Sequence, residues 1–119
     1  MSTFRKGFGL VVLIAVVALV ASVSAFGRSA ATVTVTAGKP SELKFTVLPK
    51  SIAKGVTTFK VTNKGKLSHD FKIAGKKTKV LAGGRTATLK LTLKAGKYPY
   101  LCTVPGHAAG GMKGTLTVK

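Results

Sequence analysis

From residue 32 onward the chain alternates apolar and polar residues with a period of two. The pattern runs through TVTVTA (32–37), ELKFTV (42–47), TFKVTN (58–63), HDFKIA (69–74), TATLKLTL (86–93) and GTLTVK (114–119). Side chains of a strand point alternately to opposite faces, so this period predicts strands with one face buried and one wet. Leu89, Leu91 and Leu93 share one face while Thr88, Lys90 and Thr92 share the other, and Phe59 and Val61 oppose Lys60 and Thr62. A further strand, KYPYLC (97–102), ends at Cys102. Turn-forming clusters separate the runs: AGKP (37–40), NKGK (63–66), AGKK (74–77), AGGR (82–85) and KAGK (94–97). Turns at this spacing predict an all-β, antiparallel sandwich or barrel, and the fold expected here is a Greek-key β-sandwich. Outside the N-terminal segment no stretch carries a helical period.

That N-terminal segment has a different pattern. MSTFRKGFG supplies a short basic region with Arg5 and Lys6, and the apolar run Leu10–Ala25 follows, ending in small residues with Val23 and Ala25 before a candidate cleavage point. At 16 residues the run falls short of the ~20 of a spanning helix. It predicts a secretory signal peptide over 1–25 that is either removed or retained as an uncleaved anchor. Residues 26–119 then form one domain, exported to the periplasm, the extracellular space or the cell surface. No cysteine stands directly after the apolar run, so a lipoprotein anchor is not expected.

Charge narrows the partners without touching the fold. The chain has 20 Lys and Arg against two acids, Glu42 and Asp70, for a net charge of +18. Loss of Arg5 and Lys6 with the leader leaves 18 basic residues and a net charge of +16. A field of that sign draws the protein to anionic surfaces. Lysines on polar strand faces also protect sheet edges from aggregation, which accounts for Lys but not for the scarcity of Glu. Specific nucleic-acid binding is excluded: the lysines are evenly scattered, only Arg28 and Arg85 follow the leader, and no aromatic platform is present.

The candidate chemistry is concentrated in YLCTVPGHAAGGMKG (100–114). It holds the single cysteine, Cys102, one of two histidines, His107, and one of two methionines, Met112; the other histidine is His69. Four residues separate Cys102 from His107 and four separate His107 from Met112, so one loop curling over the end of a sandwich delivers three side chains to one point. An exported domain normally uses cysteines in pairs, and Cys102 has none. Two imidazoles, a thiolate and a thioether form the soft set of a trigonal His₂Cys copper site with a weak axial Met. Structural zinc favours a fourth Cys, His or carboxylate over Met, and Asp70, adjacent to His69, points to the opposite face. A Cys–His nucleophile lacks an orienting residue and an oxyanion loop. Each residue taken alone has a plain structural reading; their joint placement predicts one type 1 copper ion held by His69, Cys102, His107 and Met112.

NKGKLSHDF (63–71) and YLCTVPGHAAGGMKGTLTV (100–118) resemble the cupredoxins, the small blue-copper proteins, and most closely the azurin, auracyanin and sulfocyanin-like members with a Cys-x-x-Pro-Gly-His loop. The resemblance implies a cupredoxin-like fold over residues 32–119, and His69, Cys102, His107 and Met112 as copper ligands. It also implies an axial-side carbonyl at Ser68 and an Asn63 that ties the two ligand-bearing segments together. The four residues between His107 and Met112 match the auracyanin-like loop better than azurin's. The implied function is one-electron transport between redox partner proteins. The charge adds that those partners are acidic and that anionic membrane or wall surfaces attract the protein, which is expected to be a monomer and not an enzyme. The alternative function is periplasmic or extracellular copper binding for delivery or homeostasis.

Overall fold

The structure, a computed structural model, describes residues 30–119; the expected leader or anchor, residues 1–25, lies outside the described residues. Among these, nine strands and no α-helix occur. The strands are β1 (Ala30–Ala37), β2 (Phe45–Leu48), β3 (Ser51–Ile52), β4 (Gly55–Asn63), β5 (Lys72–Ile73), β6 (Lys76–Lys77), β7 (Thr86–Leu93), β8 (Gly96–Leu101) and β9 (Lys113–Val118). They form two sheets, one of order β2-β1-β4-β7 and one of order β3-β9-β8-β5-β6.

Alternation decides what lies between the sheets. From the first sheet Val33, Val35, Val47, Phe59, Val61 and Leu93 are buried, and from the second Ile52, Ile73, Tyr100, Leu116 and Val118. Phe71 joins the two sets, with its ring centroid 5.4 Å from both Phe59 and Tyr100 and 5.5 Å from Phe45. Each buried Phe or Leu contributes about 1.5–3 kcal/mol relative to exposure, which makes this layer the chief stabilising element. Register follows from it, because a slip of one residue would turn every buried side chain outward. The expected purely antiparallel pairing does not hold: β1 pairs parallel with β4 along its whole length, Ala30↔Val56 to Ala37↔Asn63, and β3 pairs parallel with β9, because the strands that neighbour each other here are not consecutive in the chain. The β1–β4 pairing brings the ends of both strands to the same end of the sandwich as the Cys102 loop.

Two expected strands are shorter than the alternation implies. In 42–47 the strand begins at Phe45: Lys44 N–H bonds Ser41 O (3.2 Å) and Gly38 N–H bonds Lys44 O (2.9 Å), so 41–44 is a turn. In 69–74 only Lys72–Ile73 pairs as a strand. His69 instead makes an isolated bridge with Leu81, and the Phe71 N–H is taken by Thr78 Oγ1 (3.2 Å). Both departures occur at the ligand end, where loop hydrogen bonds replace the ladder.

Candidate metal centre

Cys102 follows the last residue of β8, and its N–H donates to Met112 O (3.1 Å), pinching 102–112 into a closed loop. Within it, His107 N–H bonds Val104 O (3.0 Å) and Met112 N–H bonds His107 O (3.0 Å). The bends use Gly106 at φ +84° and Gly111 at φ +113°, a region that favours glycine. The loop is thus fixed mostly by its own backbone. His69 reaches the same point from the other direction, held by two backbone bonds across the bridge, His69 N–H to Leu81 O (3.0 Å) and Leu81 N–H to His69 O (2.7 Å).

The result is a convergent triangle. His69 Nδ1 lies 3.1 Å from His107 Nδ1, and Cys102 Sγ lies 3.6 Å from His107 Nδ1. The three ligand atoms all lie within 4.8 Å of one another. Metal–nitrogen bonds of about 2.0 Å and metal–sulfur bonds of about 2.3 Å are compatible with a triangle of these sides, so the residues fit a single ion. His69 and Cys102 are buried and His107 is half-buried. Met112 is fully buried in a small apolar cluster with Cys102 and Ala37, flanked by Leu43, Phe45 and Val104. Three nitrogen and sulfur donors in an apolar pocket suit a soft transition metal rather than a hard, oxygen-seeking one.

Around this triangle both of the chain's carboxylates are engaged. Asp70 Oδ1 accepts the Thr103 N–H at 2.6 Å and Oδ2 accepts from Thr103 Oγ1, while the Asp70 N–H points to Cys102 Sγ at 3.5 Å. Asp70 thereby fastens the His69 segment to Thr103, the residue that follows Cys102. Burial pushes the Cys102 thiol up, against the Asp70 and Val104 N–H groups, which pull it down. Glu42 Oε2 lies 2.6 Å from His69 Nε2, and the carboxylate also accepts from Lys66 N–H (2.8 Å) and Leu67 N–H (3.2 Å). These partners, the Lys66 N–H first and His69 next, lower the Glu42 carboxyl to about 2.

Asn63 has a narrower role than the resemblance implies. Its Nδ2 donates to Leu67 O and Leu81 O, both at 2.8 Å, and its Oδ1 accepts from Gly65 N–H at 2.8 Å. It ties the His69 segment to Leu81 and not to the Cys102 loop; the tie to that loop is made by Asp70. Glu42 is the functional neighbour that sequence reasoning missed. The available signal was its rarity: a chain with a net charge of +18 retains only two acids.

A two-sheet sandwich with a convergent His-Cys-His triangle at one end defines a single-ion metal-binding domain. Residues 19–119 match the model of the copper-binding proteins of the plastocyanin/azurin family, and the chain belongs to that family. His69, Cys102 and His107 are accordingly positioned to bind one copper ion. Among solved structures the chain is similar to auracyanin B (TM-score 0.63, 25% identity, covering 75% of this chain and 88% of the other). It shares its fold with rusticyanin from Thiobacillus ferrooxidans (TM-score 0.67, 24% identity, 79% and 80% covered). The same holds for auracyanin A, a blue copper protein from the green thermophilic photosynthetic bacterium Chloroflexus aurantiacus (TM-score 0.63, 21% identity, 76% and 100% covered). No curated protein matches the sequence.

Proposed function

We propose that this chain is an exported type 1 copper protein that carries single electrons between redox partner proteins, with Met112 as the weak axial ligand beside His69, Cys102 and His107. The observation that carries the reading is the convergence of two imidazole Nδ1 atoms and one thiol on a point walled by the buried Met112 cluster. Bound copper supplies a one-electron Cu(I)/Cu(II) couple. The chain's own part is to keep the ligands from moving. Cys102 and Met112 are joined through the backbone, His69 is braced by Leu81, and Asp70 locks one segment to the other.

His107 is the most exposed of the three converging ligands. Pro105, Gly106 and Ala109 around it are exposed, small or apolar, so this loop is the face through which an electron leaves to a briefly docked partner. Weak redox encounters need only small interfaces, with charge setting the approach. Lys72 and Lys77 stand directly opposite each other on β5 and β6, and Lys113 lies in the same cross-strand row beyond Leu101. Like charges in register repel, and an acidic partner or an anionic membrane or wall surface relieves that repulsion. The leader-like residues 1–25 support export, by cleavage or as an anchor, with 26–119 as a monomeric copper domain and a carrier rather than an enzyme.

Protein-film voltammetry tests the electron-carrier reading. The expected result is a reversible one-electron wave that persists over repeated cycles without loss of copper. Release of copper on each change of oxidation state would instead make the metal a cargo, as in copper delivery.

A further inference from the structure

The geometry points to Glu42 as a positioning residue for the metal. Its carboxylate, through the Nε2–H of His69, holds that imidazole in the tautomer whose Nδ1 faces Cys102 and His107, and biases the site toward Cu(II). The inference rests on the copper electron-transfer reading for its redox consequence, and on the geometry alone for the tautomer.

Three observations carry it. His69 is fully buried, and its Nε2 meets a carboxylate oxygen at 2.6 Å, within salt-bridge distance. A ligating imidazole whose second N–H is given to a carboxylate is fixed in orientation and made a stronger donor. Next, the carboxylate is itself built in: Lys66 N–H and Leu67 N–H both donate to it, so the turn after β4 and the turn before β2 meet at this group. Third, the structure leaves room for it. A Cβ at Gly65 would lie 2.0 Å from Glu42 Oε2, and Gly65 is not among the positive-φ glycines. A side chain at 65 would therefore push the carboxylate from its place, while the backbone conformation there does not call for glycine. The only other acid, Asp70, is occupied by Thr103 and cannot substitute.

A negative charge at Nε2–H favours the more highly charged oxidation state, because the imidazole passes electron density to the metal. Glu42→Gln keeps the size and the hydrogen-bonding ability and removes the charge. Its Cu(II) affinity is expected to fall about tenfold relative to Cu(I), within the range known for such partners, which raises the reduction potential by about 59 mV. Gly65→Ala, which displaces the carboxylate while leaving Glu42 in the sequence, is expected to shift the potential in the same direction. A role limited to holding two turns together would lower unfolding stability in both variants and leave the ratio of Cu(II) to Cu(I) affinity where it was; that result overturns the proposal.

The metal-free protein supplies an independent readout. Two-bond nitrogen–proton NMR at pH 8 should show His69 as the Nε2–H tautomer in the wild type, and an Nδ1–H tautomer would overturn the assignment whatever the metal does. A wild type that fails to cycle one electron while His69 keeps the Nε2–H form contradicts the electron-transfer reading and upholds the positioning role.

Discussion

Cys102 and Met112 share one backbone hydrogen bond and one apolar cluster, yet they do different work. The thiolate is the strongest donor of the set, so Cys102→Ser is expected to abolish the intense visible band of the copper form; a variant that stays blue contradicts the ligand assignment. With Met112 as the proposed weak axial ligand, Met112→Leu should keep the band and raise the potential, because a donor that stabilises Cu(II) is removed while packing volume is conserved. An unchanged potential in that variant would place Met112 among the core residues only. Asp70 acts on the loop rather than the metal. Asp70→Ala strands the Thr103 N–H without an acceptor, which costs about 1–3 kcal/mol and should appear as a lower urea midpoint of the metal-free protein.

The strands and the ligand loop can be altered separately. Phe59 is fully buried in the main core, which is distinct from the Cys102 and Met112 cluster. Phe59→Ala should therefore lose about 3–5 kcal/mol by denaturant unfolding while the visible spectrum of the folded fraction holds; loss of the band at equal folded fraction would show that the core and the site are one unit. This separation also explains what could be read from the chain. Period two marked β1, β4, β7 and β9 because long strands bury a regular row, and His69, Cys102, His107 and Met112 stood out because their residue types are scarce. The two-residue strands β3 and β6 are too short to carry a period. Glu42 lay hidden for a related reason: ELKFTV reads as one alternating strand, while in the fold residues 41–44 turn and carry the carboxylate across to His69. Only the tertiary meeting of two turns reveals it, and the alternation of a single segment holds no trace of that meeting.

For the whole molecule the decisive fact is where the acids are. With Glu42 on His69 and Asp70 on Thr103, both acidic side chains are engaged at the metal end and basic side chains dominate the rest of the described surface. Two copies therefore repel each other, while anionic partners are attracted. Electron self-exchange, measured by NMR line broadening in mixtures of oxidised and reduced protein, should speed up as salt rises; reduction by a small anionic complex such as ferrocyanide should slow down. The turnover is expected around the ionic strength at which the screening length falls to about 8–10 Å. Rates indifferent to salt in both assays would mean that the charge has no part in encounter.

The most direct test of the copper-site account is a visible absorption spectrum of the protein after addition of one equivalent of Cu(II). A type 1 site should give an intense blue thiolate-to-copper band that saturates at one copper per chain and bleaches reversibly with a mild reductant. A colourless complex, or a preference for Zn(II) with no stable Cu(II) form, would contradict it.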